Sequence, residues 1–122
     1  LKRFELFQHD LKRQLDYYIN SYPSNSVAIW GAGHQALAIM ALADLSGKIR
    51  FVVDSATFKQ NKLTPATHIP ITAPAKLEQE PISAIIIMAG SFSDEIYTIL
   101  KTMRLNNPGI AVVDGAKLKI LE

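Results

Sequence analysis

The apolar run Ser26-Val27-Ala28-Ile29-Trp30 breaks into Gly31-Ala32-Gly33-His34-Gln35-Ala36, and a second apolar run, Ile49 to Val53, ends in Asp54. A strand that stops at two glycines and restarts as a helix is suited to holding a phosphate. The first glycine permits a sharp turn, and the second removes the Cβ that would keep a phosphate or ribose off the backbone. The helix that follows presents unpaired N–H groups and a partial positive charge to whatever fills the turn. Asp54 stands where a carboxylate accepts ribose hydroxyls in a dinucleotide site, and Ala36 takes the place of that fingerprint's third glycine. His34, at the helix start, is a candidate donor to a phosphate or sugar oxygen. The competing account is structural: the glycines tighten a strand-to-helix turn and Asp54 caps a loop.

Other residues with chemical potential are less organised. Gly90, Ser91, Ser93, Asp94 and Glu95 follow a third apolar run, Ile82 to Ala89. Ser91 suits the cap of a helix whose first turn carries Asp94 and Glu95, so capping accounts for this group without acid-base chemistry. Gly90 and Ser91 also end a strand beside the glycine turn, and both join the candidate binding set. His9, His34 and His68 are far apart and Cys is absent, so no metal site is expected. Trp30 ends a buried strand and is expected in the core. The sequence has no nucleophile elbow, phosphate-loop Lys or Ser-His-Asp order, and no catalytic residue is assigned.

These residues need a frame. From Lys2 to about Tyr22, Phe4, Phe7, Leu11, Leu15, Tyr18 and Tyr22 recur at helical spacing, with Lys12, Arg13, Gln14 and Asp16 opposite. Pro23-Ser24-Asn25 ends that helix. The strand Ser26 to Trp30 is apolar on both faces, as a central parallel strand is. The next helix, about Gln35 to Leu45, is apolar nearly all round, which predicts burial on more than one side, with Gly47 as its stop. Ile49 to Val53 then completes a right-handed crossover. Ser55 to Thr67 reads as a long loop of the kind compact domains keep where they bind something. Ile69-Pro70-Ile71 follows, restricted by Pro70 to an edge or an irregular place.

Pro74 to about Glu80 reads as a short helix. Ile82 to Ala89 is a third strand, and the helix after it runs to about Asn106 with Ile96, Ile99, Leu100 and Met103 inward. Ile110 to Val113 is a fourth strand, and Lys117 to Leu121 suits a further edge strand. The alternation predicts an α/β fold, a Rossmann-like doubly wound parallel sheet preceded by an amphipathic N-terminal helix. Counted along the chain, the four principal strands take the order 2-1-3-4. The switch point lies between the first and third, where Gly31, Asp54 and Gly90 converge. Residues 1–25 are expected as a linker helix packing on a domain of residues 26–122.

Composition narrows the function. A chain of 122 residues fits one domain that buries about two thirds of its unfolded surface. The absence of Cys excludes disulfides and fits a reducing compartment, with the cytoplasm as the default location. Thirteen Lys and Arg against 11 Asp and Glu leave a net charge of +2, scattered along the chain, so nucleic acid is not an expected partner. The longest apolar stretches fall well short of the roughly 20 residues of a membrane span, and the start lacks a secretory pattern. The chain opens at Leu1 and enters an amphipathic pattern at once, as a piece of a longer protein would.

The segment from Phe51 to Ile71 is more specific. It resembles the C-terminal domain of sugar C-methyltransferases, the S-adenosylmethionine-dependent enzymes that methylate a carbon of a nucleotide-linked deoxysugar. In that family a strand ending in Asp is followed by Lys-Gln-Gly and then Pro-Gly-Thr-His-Ile-Pro. Lys59, Gln60, Pro65, Thr67, His68, Ile69 and Pro70 match the pattern, while Asn61 and Ala66 replace its glycines. The resemblance spans nearly the whole chain, including the long first helix. Elsewhere the chain departs: the family's glycine turn reads Gly-Ala-Pro-Ala-Lys, and Trp-Asn stands where this chain has Gly90-Ser91.

The resemblance implies that S-adenosylmethionine and the catalytic base belong to a preceding methyltransferase domain, while this domain helps hold a nucleotide sugar. It nominates Gly31, Gly33, Asp54, Lys59, Thr67 and His68 for ligand binding or for shaping the loop, with Lys59 as a point cation for a diphosphate. The domain is expected to bind without catalysing. Two alternatives stand beside this reading. One is an NAD-binding redox or sensing module with Asp54 on the adenosine ribose. The other is an assembly domain with a vestigial pocket, forming a homo-oligomer through the first helix.

Overall fold

The computed structural model describes the backbone of residues 3–122 and side chains from His9 onward. In chain order the elements are α1 (Arg3–Asn20), β1 (Val27–Trp30), α2 (His34–Leu42), β2 (Phe51–Val53), a 3₁₀ turn (Thr57–Lys59), β3 (Lys62–Leu63) and β4 (Pro70–Thr72). There follow α3 (Lys76–Gln79), β5 (Ala84–Ile87), a second 3₁₀ turn (Gly90–Phe92), α4 (Ser93–Thr102), β6 (Gly109–Asp114) and β7 (Lys117–Ile120). One seven-stranded sheet results, in the order β3-β4-β2-β1-β5-β6-β7. Its parallel centre, β2-β1-β5-β6, is the expected 2-1-3-4 arrangement. Antiparallel strands β3 and β7 finish the two edges.

The central strands are β-branched and apolar because both their faces are covered. Alternation along each strand divides the core in two. Val27, Ile29, Val52 and Ile86 face α1 and α2, where Leu15 and Met40 are fully buried. Ala28, Trp30, Phe51, Ile85 and Ile87 face α3 and α4 through Leu77, Ile96 and Leu100. Trp30 is thus a core residue, as its place at the end of β1 predicts.

Helix α1 shares one face of the sheet with α2. Leu11, Leu15, Tyr18 and Ile19 are buried against the sheet, so this stretch of its apolar side is covered from within. The expected contribution of Phe4 and Phe7 lies outside the described side chains. Gln14, expected in solvent, instead receives the Leu118 N–H on its Oε1 at 2.8 Å and donates to the Ala116 carbonyl at 3.1 Å. Asp16 links Lys12, at 3.1 Å, to Lys48, at 3.2 Å. Burial raises the pKa of Asp16, and the two ammonium groups outweigh it and hold the carboxyl below its usual range. Burial pushes the Tyr18 phenol upward.

Other expectations are corrected. Helix α2 buries one side only, leaving Ala38, Ala41 and Leu42 exposed. An apolar composition sets what a helix can bury, and its neighbours set what it does bury. Asp44, not Gly47, ends α2: at φ 55 it donates to the Ala41 carbonyl, while the Leu45 N–H returns to Met40. These two bonds form a Schellman cap. Helix α4 stops at Thr102, and Ile99 is exposed. The segment after Asp54 is not plain loop, because it contains the first 3₁₀ turn and β3. Pro70 begins β4 one strand in from the edge, where a missing N–H is tolerated as the strand's first residue. Among the described residues no helix is long and apolar enough to cross a membrane.

Candidate functional site

The glycine turn is pulled tight between two strands. Met88 N–H donates to the Trp30 carbonyl at 2.8 Å, and Gly31 N–H donates to the Val53 carbonyl at 2.9 Å. Gly31 has φ +133, and a Cβ there would strike the Met88 carbonyl, so only glycine lets β1 leave the sheet at this point. Gly33 differs. It has φ −77, and a Cβ built on it meets nothing within 4 Å. The fold does not require this glycine, and the space beside it is open. The first α2 bond runs from Leu37 N–H to the Gly33 carbonyl at 2.9 Å, and no side chain caps the helix. The N–H groups of the first turn are therefore free of intrahelical partners and face the mouth of the turn.

Asp54 ties that turn to the next strand. Its Oδ2 accepts from Ala32 N–H at 2.9 Å and its Oδ1 from Ala56 N–H at 2.8 Å. Lys59 Nζ donates to the Ala32 carbonyl at 3.2 Å and lies 3.9 Å from Asp54 Oδ2. The carboxylate expected to face ligand hydroxyls is thus engaged by two backbone N–H groups and flanked by a cation. Spacing identifies Asp54 as a residue of this site, but the neighbouring backbone decides what its oxygens hold.

Together these elements enclose a cavity of about 640 Å³ over the carboxyl ends of the central strands. Its lining brings together Gly31, Gly33, His34, Asp54, Lys59, Gly90 and Ser91. Thr67 and His68 are not among the lining residues. Thr67 is buried with its Oγ1 2.5 Å from Thr64 Oγ1, and His68, exposed at φ 54, closes the same turn through its N–H to the Thr64 carbonyl. Ser91 does not cap α4, because the chain passes through a 3₁₀ turn first and the helix begins at Ser93. Phe92, Asp114 and Gly115 also line the cavity. The sequence carried a signal for Asp114, which ends β6 as Asp54 follows β2.

A family model for the C-methyltransferase C-terminal domain matches residues 2–113. The chain belongs to that family. No curated protein matches it. Among solved structures it is similar to UDP-D-quinovosamine 4-dehydrogenase from Vibrio fischeri, with a TM-score of 0.57 and 16% identity. That match covers 82% of this chain and 95% of the other, and it shows a shared Rossmann-type fold.

Within the C-methyltransferase C-terminal domain, the two residues standing in place of glycine turn as glycine would. Asn61 has φ 64 and Ala66 has φ 65. The tight turns of the segment are retained without the usual residue, at a cost of about 1 kcal/mol for a non-glycine side chain in this conformation. Asn tolerates it better than Ala does.

Proposed function

We propose that this domain holds a nucleotide sugar for a C-methyltransferase whose cofactor site and catalytic base lie in a preceding domain. One observation carries the reading: the uncapped start of α2, the open space at Gly33 and the Lys59 ammonium converge on one cavity of a size that small ligands fill. Unpaired N–H groups, a helix N-terminus and a point cation complement the negative charge of a diphosphate.

S-adenosylmethionine carries a positive sulfonium, which the Lys59 ammonium and the first turn of α2 do not complement. It belongs, on family grounds, to the methyltransferase domain, where it would supply the methyl group. NAD has a diphosphate too, and its adenosine ribose would share the Asp54 oxygens with the Ala32 and Ala56 N–H groups, so titration separates the two readings. In this domain the glycine turn receives the phosphates, Lys59 neutralises them, and His34 and Ser91 stand at the rim as further donors.

Calorimetric titration with dTDP-glucose, UDP-glucose, NADH and S-adenosylmethionine tests the proposal. The expected result is binding of a nucleotide sugar, with about 2.7 kcal/mol of added stability at 100 times its dissociation constant. Gly33→Val is expected to remove that binding while the melting temperature stays near that of the parent. Binding of NADH alone, or of none of the four, overturns the reading.

A further inference from the structure

Resting on that reading, we infer that the cavity takes its ligand in one direction, with the diphosphate at the Lys59 end and the sugar ring laid on Phe92 beside Asp114. The strand order β2-β1-β5-β6 sets the geometry. Asp54 and Lys59 follow β2, the glycine turn follows β1, Phe92 lies just past β5, and Asp114 ends β6. At about 4.8 Å per strand, the four strand ends span about 14 Å, enough for a diphosphate and one ring end to end.

The two ends differ in chemistry. At the β2 end the Asp54 charge is met by two backbone N–H groups and by Lys59, which leaves the ammonium and the first turn of α2 to face an anion. At the β6 end Asp114 presents an acceptor-only group, and Lys119 Nζ, 2.7 Å from Oδ2, leaves Oδ1 for a hydroxyl donor. Lys119 also holds that carboxyl below its usual range, so it stays an acceptor in mild acid. Unlike the first turn of α2, this end supplies no row of backbone N–H groups for a phosphate, whereas the open carboxylate oxygen accepts from the hydroxyls of a ring.

Phe92 supplies the apolar surface between these ends. It lines the cavity yet is 62% exposed, and it sits in a short turn where the core makes no demand for it. An aromatic face in that position suits the C–H side of a pyranose, while the hydroxyls on the ring edge reach Asp114.

The test compares the 122-residue chain with its Phe92→Ala and Asp114→Asn variants, titrated with dTDP-glucose, dTDP and inorganic pyrophosphate. Both positions are exposed, so both variants are expected to fold, with circular dichroism and melting temperature as the check. Each variant is expected to weaken dTDP-glucose about tenfold, the effect of losing one hydrogen bond to a charged group or one ring contact. Binding of dTDP and pyrophosphate is expected to stay within about twofold of the parent. Equal losses for dTDP and dTDP-glucose would put the nucleoside on Phe92 and overturn the orientation. So would variants that bind all three probes as the parent does, or a parent that binds dTDP-glucose no more tightly than dTDP. If the parent binds none of the three, the proposed function falls together with this inference.

Discussion

Two turns built from similar polar material end in opposite states. Between β1 and α2, Gly31 and Ala32 commit their N–H groups to Val53 and Asp54, while the first turn of α2 keeps its own free of intrahelical partners and opens onto a cavity. Between β3 and β4, Thr64, Thr67 and His68 close on themselves. Thr64 N–H donates to the Ile69 carbonyl at 2.8 Å, Ile69 N–H returns to Thr64 Oγ1 at 2.8 Å, and His68 N–H reaches the Thr64 carbonyl at 2.9 Å. Hydroxyls suggest chemistry in a sequence, but a turn whose backbone and threonine hydroxyls bond one another does not offer them to a ligand, and the exposed His68 imidazole lies away from the cavity lining. Availability, not residue type, separates a site from a scaffold.

The sharpest way to break this contrast lies inside the glycine turn. Gly31→Ala places a Cβ against the Met88 carbonyl in a conformation that side chains avoid, and is expected to cost about 3 kcal/mol or more. Gly33→Ala, with open space around it, is expected to cost less than about 1 kcal/mol. Urea unfolding of both variants measures the gap, and equal losses would erase the distinction between a structural and an accessible glycine.

Thr64→Val examines the closed turn. It strips the acceptor from a buried N–H and is expected to cost about 2 kcal/mol of stability while ligand affinity stays unchanged. A fall in affinity beyond a few-fold would tie the β3–β4 turn to the site after all. The smallest effect is expected at Ala66, where Ala66→Gly relieves the left-handed backbone and raises stability by about 0.5 kcal/mol, partly offset by glycine's larger unfolded entropy. A loss of stability in the same unfolding assay would show that the Ala66 methyl does something the backbone angles do not reveal.

The central sheet was legible because its strands are continuous runs such as Ala84-Ile85-Ile86-Ile87, which nothing but a covered parallel position accommodates. The floor of the cavity was legible for a related reason: two glycines between a strand and a helix constrain the backbone regardless of what surrounds them. The segment after Asp54 was harder. β3 has two residues and β4 begins with a proline, so neither has enough length for alternation to register. The state of Asp54 was not legible, because its oxygens are held by Ala32, from another element, and by Ala56, which is reached only through the local turn. Phe92 was hidden in the same way, since an aromatic next to a helix start reads as core until the neighbouring strands show that nothing covers it.

The clasp made by Gln14 joins positions 102 and 104 residues apart, so the first helix of the domain finds its final partners at the hairpin of β6 and β7. Until β6 and β7 have left the ribosome, α1 lacks the edge it fastens to, and its oily stripe must wait beside a half-built sheet. Loop closure over such a span is slow compared with local helix formation. Closure of this domain therefore waits on β7, however early α1 turns helical.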